Sequence, residues 1–114
     1  MLYRLLMHSV IETPSFTRRS DALLSQAERA ALIATLAMNP EAGDVMVGLG
    51  GVRKLRWAPA GRGKSGAFRV IYYLLNEGRP VLAIFLYGKN EQADLTPAQR
   101  KAVMQLVAAM KEKR

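Results

Sequence analysis

The sequence predicts an α+β domain in which a small, twisted, mainly antiparallel sheet packs against a two-helix hairpin and a C-terminal helix. Three observations support this. Strand-like segments lie near the start and in the second half of the chain, two helix-like segments lie between them, and an amphipathic segment ends the chain. With 114 residues, half of them hydrophobic, residues 1–114 are expected to form one domain around one core.

The first half predicts one strand and two helices. Residues 8–12 are rich enough in β-branched side chains for a short strand, which Pro14 ends. A short helix is expected over residues 15–24. Ser25 and Glu28 then have the spacing of a capping box, which predicts a second helix that stops before Pro40. With almost no linker between them, the two helices should pack as a hairpin on one face of the sheet.

The second half predicts three antiparallel strands and a helix. Residues 41–51 are rich in glycine and predict a loop. Thr96 and Gln99 repeat the capping-box spacing, with a proline at the first helical position, and predict the start of the last helix. Strands are expected over residues 52–57, 67–75 and 81–87.

Charge and composition limit the classes of function that the protein can have. The chain carries 17 Lys and Arg against nine Asp and Glu, a net charge of +8, which favours a polyanion: nucleic acid first, an acidic protein second, a membrane surface third. Simple solubility remains an open alternative. The absence of cysteine excludes disulfides, thiolate zinc sites and a cysteine nucleophile. The apolar start, interrupted by Arg4, predicts neither a signal peptide nor a membrane span, so we expect a cytoplasmic protein.

The basic residues concentrate in the middle of the chain. Residues 45–76 contain six basic side chains and no acid. If Lys54, Arg56 and Arg69 share a face of the sheet, they converge on a patch that can stabilise the extra charge of a pentacoordinate phosphate. A lysine among cations can also transfer a proton. Such a patch can promote cleavage of RNA by the 2′-hydroxyl of the RNA itself, without a metal or cofactor. An ordinary solvated basic face is the open alternative.

Other residues carry weaker signals. His8 is the one histidine of the chain and is expected to be non-catalytic. Trp57 shares a strand face with Leu55 and is expected to pack in the core or against a partner. Asp94 is expected to help start the last helix, or to orient Lys89.

Four segments of the sequence carry a further signal. They are ETPSF at 12–16, NPEAGDVMVGLGGVRKLRWA at 39–58, GRGKSGAFRVIYYLL at 61–75 and YGKNEQADLTPAQ at 87–99. In this order they resemble a toxin of the RelE/ParE superfamily, in its HigB-like branch. The resemblance implies the fold derived above. It also implies a ribosome-dependent endoribonuclease that cleaves mRNA in the ribosomal A site and is neutralised by a cognate antitoxin protein.

The same resemblance implies roles for individual residues. Some family members carry a tyrosine or histidine near the C-terminus that contacts the substrate. Here neither follows Tyr87, so the general acid or base is left open, with Tyr73 and Tyr87 as substitutes. The residues implied in catalysis are Lys54, Arg56, Arg69 and Lys89. Those implied in binding RNA or the ribosome are Arg53, Arg62, Lys64, Tyr73 and Tyr87.

Two other functions stay open at this point. A ParE-like toxin shares the fold and inhibits DNA gyrase without a nuclease reaction, a class that does not need the basic cluster. A non-catalytic domain that binds RNA or the ribosome is the second alternative.

Overall fold

The computed structural model describes residues 8–63, 67–76 and 78–112. Within these residues, five strands form one sheet and three helices pack against it, which confirms the predicted α+β class. No helix in this part of the chain has the length and apolar character needed to cross a membrane. The elements are β1 (Val10–Glu12), α1 (Pro14–Leu23), α2 (Gln26–Met38), β2 (Asp44–Val45), β3 (Arg53–Trp57), β4 (Phe68–Leu74), β5 (Val81–Gly88) and α3 (Pro97–Glu112).

The sheet has the strand order β1-β5-β4-β3-β2. β1 runs parallel to β5, and the other three pairs are antiparallel, so the predicted sheet is indeed mainly antiparallel. One prediction was wrong: part of the expected loop over residues 41–51 is the edge strand β2. Gly43 explains why, because its N–H donates to the Tyr72 hydroxyl (2.8 Å) and its carbonyl accepts from Arg53 Nη1 (2.7 Å). These two bonds hold the chain alongside β3.

The sheet separates two apolar cores. The α1–α2 hairpin covers one face, as predicted, and α3 covers the other together with the segment from Met46 to Val52. Side chains of β4 alternate between the two sides, which is the period of a strand buried on both faces. Phe16, Leu32, Leu36, Val70 and Tyr72 belong to the first core, whereas Leu49, Ile71, Tyr73, Val103 and Val107 belong to the second.

A bulge in β5 sets the direction of its last side chains. Ile71 pairs with Phe85 but Tyr72 pairs with Ala83, which leaves Ile84 as the extra residue. Ile84 and Phe85 therefore both pack on the α3 side, although they are neighbours in sequence. From Phe85 onward the alternation resumes, so Tyr87 also points to the α3 side.

The predicted helix starts are confirmed in their hydrogen bonds. Ser25 and Glu28 form a complete capping box before α2. Thr96 and Gln99 form the same reciprocal pair before α3, with N–H to oxygen distances of 2.9 and 3.1 Å. α1 begins one residue earlier than expected, at Pro14, because Thr13 is its N-cap.

Replacing Gly43 with alanine is expected to destabilise the protein. A β-carbon at this position would lie 2.8 Å from the Lys54 carbonyl oxygen and 2.9 Å from the Tyr72 hydroxyl, and the strand backbone cannot move away cheaply. We expect Gly43→Ala to lower the free energy of unfolding by about 1–3 kcal/mol, measured by urea denaturation. Gly78→Ala is the matched control, because its β-carbon would make only an ordinary contact. Equal stability of the two variants would contradict this packing.

A second prediction concerns acid stability. Glu12 at the end of β1 accepts hydrogen bonds from Arg29 of α2 and from the Thr17 hydroxyl. Burial raises the pKa of Glu12, but these hydrogen bonds and the Arg29 charge outweigh it, so the pKa lies below its ordinary value of 4.5. A depressed folded-state pKa stabilises the protein above the unfolded pKa, and this contribution is lost as pH falls through the folded pKa.

Glu12→Gln should therefore lower the free energy of unfolding most at neutral pH, and the difference from wild type should shrink below about pH 4.5. Denaturation curves between pH 7 and pH 3 measure this. A difference that stays constant over that range would show that the Glu12 charge does not stabilise the fold.

Candidate nucleic-acid interface

Lys54, Arg56 and Arg69 lie on the same face of the sheet. In the β3–β4 pair, Arg56 is opposite Arg69 and Lys54 is opposite Ile71. Paired residues of antiparallel strands point to the same side, and Ile71 packs in the α3-side core. The three cations therefore share the α3 side, the arrangement that the strand alternation predicted conditionally.

Arg56, Arg69 and Tyr87 form a row across three strands. Arg69 is opposite Arg56 on one side and opposite Tyr87 of β5 on the other. Neighbouring strands lie about 4.8 Å apart, so this row spans about 10 Å. Arg56 is exposed, Arg69 is half-buried and the Tyr87 side chain is fully buried. The row therefore runs from the exposed guanidinium of Arg56 to the buried hydroxyl of Tyr87.

Two polar atoms of the row have no hydrogen-bond partner among the described residues. They are Nη1 of Arg69 and the hydroxyl oxygen of Tyr87, both of which are buried. A buried donor without an acceptor costs about 1–3 kcal/mol, and more when it is charged. Most buried polar groups in folded proteins are paired, so two unpaired groups on cross-strand neighbours mark this part of the sheet as a candidate functional site.

The surroundings of Tyr87 keep its hydroxyl protonated. Burial raises the pKa of the Tyr87 phenol, the negative charge of Asp94 raises it further, and the Arg69 charge lowers it in part. With the pKa above its ordinary value of 10.0, the phenol is a hydrogen-bond donor at neutral pH. Together with Arg69, it offers donors to an anionic oxygen.

Lys54 is flanked by two carboxylates that sequence reasoning did not place there. Its Nζ lies 3.6 Å from Oδ1 of Asp94, and Asp44 of β2 is its cross-strand partner. Asp94 was expected to help start α3 or to orient Lys89; the structure brings it to Lys54. Within the described residues, no group of three or more His, Cys, Asp or Glu side chains is arranged so that it could bind a metal ion.

Two other basic residues make structural contacts. Arg53 alternates to the opposite face and donates to the carbonyls of Glu41 and Gly43, at 3.2 and 2.7 Å. Arg62 makes two hydrogen bonds to the Glu28 carboxylate, at 2.9 and 2.7 Å, and so fixes the β3–β4 connection to the start of α2. Their implied contacts with RNA stay predictions.

The remaining implied residues are dispersed. Lys89 is exposed in the turn after β5, and its role stays a prediction. Tyr73 is buried in the α3-side core opposite Leu82, as a packing residue would be. Trp57 packs against the α1–α2 core, as expected. Lys64 lies outside the described residues.

Comparisons with known proteins agree with this architecture. A family model described as the RelE toxin of the RelE/RelB toxin–antitoxin system matches residues 15–113. Among solved structures, a double mutant of the Escherichia coli toxin RelE in the free state superimposes with a TM-score of 0.55. That match has 15% sequence identity and covers 76% of this chain and 88% of the other. At this identity, the structural likeness shows the fold alone.

Tyr72 and Tyr87, two of the buried tyrosines of the sheet, should respond differently to removal of their hydroxyls. Tyr72→Phe leaves the buried Gly43 N–H without its acceptor, so we expect a loss of about 1–2 kcal/mol in the free energy of unfolding. Tyr87→Phe removes a hydroxyl that has no partner among the described residues, so stability should be unchanged within about 0.5 kcal/mol or rise. Urea denaturation of both variants measures the contrast. A large loss in Tyr87→Phe would mean that its hydroxyl is structural.

Proposed function

This chain belongs to the RelE toxin family of toxin–antitoxin systems, and we propose that it is a ribosome-dependent endoribonuclease that cleaves mRNA in the ribosomal A site. The observation that carries this proposal is the Arg56–Arg69–Tyr87 row, in which two donors have no partner among the described residues. A site for the transition state of phosphodiester cleavage needs donors that are already in place before the charge develops.

In the proposed reaction, the ribose 2′-hydroxyl loses its proton to water as its oxygen attacks the neighbouring phosphorus, and the bond from phosphorus to the 5′-oxygen breaks. Nη1 of Arg69 and the Tyr87 hydroxyl donate to the phosphate oxygens, whose negative charge increases in the transition state. Lys54 adds positive charge at the same face. Tyr87, being protonated, can also give its proton to the departing 5′-oxygen.

Further cations extend the proposed RNA path away from the reacting phosphate. Arg56 lies at the exposed end of the row, where it can bind a neighbouring backbone phosphate. Lys89, Arg53, Arg62 and Lys64 are assigned to outer contacts with mRNA or ribosomal RNA. Such contacts with the backbone are salt-dependent and carry little sequence information.

The proposal includes two partners besides the message. One is the ribosome, which presents the mRNA, and the other is a cognate antitoxin that neutralises the toxin in the cytoplasm. The net charge of +8 favours both a ribosomal RNA surface and an acidic antitoxin segment. Within the family, the HigB-like branch is our proposed placement.

Arg69→Ala is expected to abolish most cleavage. Removing one donor to the developing charge should lower the rate of mRNA cleavage about 100-fold or more in a reconstituted translation reaction, with the cut ends mapped by primer extension. The matched control is Arg18→Ala. Arg18 is exposed on α1, behind the opposite face of the sheet, so this variant loses the same charge and should cut at the wild-type rate.

Other outcomes of this assay would redirect the assignment. Cleavage by Arg69→Ala at the wild-type rate would remove Arg69 from the site. Intact message with inhibited supercoiling by DNA gyrase would favour a ParE-like toxin. Binding of the wild-type protein to ribosomes without any cut would leave a non-catalytic RNA-binding domain.

A further inference from the structure

Of the three cations that share the α3 side of the sheet, Lys54 alone forms a salt bridge with a described carboxylate. Among the described residues, Lys54 pairs with Asp94, whereas Arg56 and Arg69 form no salt bridge. Asp94 belongs to the segment between β5 and α3, so the pair joins that segment to β3 across the face of the sheet. A negative charge therefore lies beside one of the cations of the proposed site.

Asp94 is held in this position by contacts that do not involve Lys54. Its Oδ1 accepts the Leu95 N–H at 2.8 Å, and its carbonyl accepts from Gln92 Nε2 at 2.9 Å. Leu95 is buried in the α3-side core, which anchors the segment. The carboxylate thus stays beside the cations even when Lys54 turns away from it.

The contact between the two side chains is weak enough to exchange. The 3.6 Å separation exceeds the 2.7–2.9 Å typical of a charge-assisted hydrogen bond. The Lys54 side chain is 32% exposed and that of Asp94 is 54% exposed, so solvent screens the pair. Exposed ion pairs contribute about 0.2–1 kcal/mol, which a phosphate with several donors can outweigh.

We propose that Asp94 is an internal competitor of RNA phosphate: its carboxylate occupies Lys54 in the free protein, and a backbone phosphate must displace it to bind. The residue acts through Lys54 and lowers the affinity of the site for polyanions. RNA as the competing ligand rests on the proposed function; the exchange itself requires only a polyanion.

Asp44 is not an equivalent competitor. It is the cross-strand neighbour of Lys54, but it is exposed on the edge strand β2 and makes no salt bridge with a described residue. It lies on the far side of Lys54 from Arg69, because β3 separates β2 from β4. Asp94, in contrast, lies close enough to Tyr87 for its charge to act on the phenol of the row.

The test measures binding of a 2′-O-methyl RNA oligonucleotide by fluorescence anisotropy. This RNA has no free 2′-hydroxyl and cannot be cut by the proposed reaction, so neither ribosomes nor turnover are needed. Asp94→Asn keeps the shape of the side chain and an oxygen for the Leu95 N–H but removes the charge. We expect it to bind about 1.5- to fivefold more tightly than wild type, the change in affinity that corresponds to the loss of an exposed ion pair.

Two controls separate competition from a general change in charge. Glu112→Gln removes the same charge at the far end of α3, which is 16 residues long and so extends about 24 Å. It should bind nearly as wild type does. In a Lys54→Gln background, Asp94→Asn should have little further effect, because the two residues are coupled.

Each result decides the proposal. Tighter binding of Asp94→Asn that depends on Lys54 supports it, even if the protein cleaves no message. Equal binding of Asp94→Asn and Glu112→Gln, weaker binding of Asp94→Asn, or an undiminished gain in the Lys54→Gln background would each overturn it. Thermal unfolding of every variant identifies loss of fold; if Asp94→Asn unfolds, Asp94→Ser with the same Lys54→Gln pairing takes its place.

Discussion

The hydrogen-bonded register of β4 between β3 and β5 is the constraint on which the rest of the structure depends. It places Arg56, Arg69 and Tyr87 opposite one another on one face, while Val70 and Leu55 meet on the other. Because side chains alternate with a period of two, a slip of one residue would turn Lys54 and Arg56 toward the α1–α2 core. The cost of burying those two charges disfavours such a slip. The apolar cores on both faces therefore position the basic site as well as stabilise the domain.

Features that depend on local pattern could be predicted from the sequence. The alternation in residues 52–57 placed Lys54 and Arg56 on one face, and the capping boxes at Ser25 and Thr96 located two helix starts. Features that depend on pairing between distant segments could not be predicted from the sequence. The parallel placement of β1, the bulge at Ile84 and the edge strand β2 each arise from contacts that no local pattern encodes. The sequence predicts every element except β2, whereas the order of the strands in the sheet depends on contacts between distant segments.

The same distinction applies to the candidate site. Composition predicted a surface for a polyanion, but residue type alone could not separate cations that bind the protein itself from those that remain available. Arg62 donates hydrogen bonds to the Glu28 carboxylate and Arg53 donates to backbone carbonyls, because the fold brings these acceptors within hydrogen-bond distance. Lys54 lies between these two classes of cation: it has a carboxylate partner, Asp94, but that partner is exposed and distant in sequence. Arg56 and Arg69 keep their charge uncompensated by salt bridges within the described residues. The acid-free stretch of sequence is therefore not an acid-free surface.

Tyr72 and Tyr87 differ in whether their buried hydroxyls have a hydrogen-bond partner among the described residues. Both rings are buried in the sheet, and both phenols have a raised pKa for which burial is the largest cause. The Tyr72 hydroxyl meets the Gly43 N–H, so its burial is compensated by a bond that shapes the edge of the sheet. The Tyr87 hydroxyl meets no described partner, and neither does the adjacent Nη1 of Arg69. A phenylalanine at that position would pack equally well without the desolvation cost. In the proposed reaction, a phosphate supplies the acceptors that these two donors lack among the described residues.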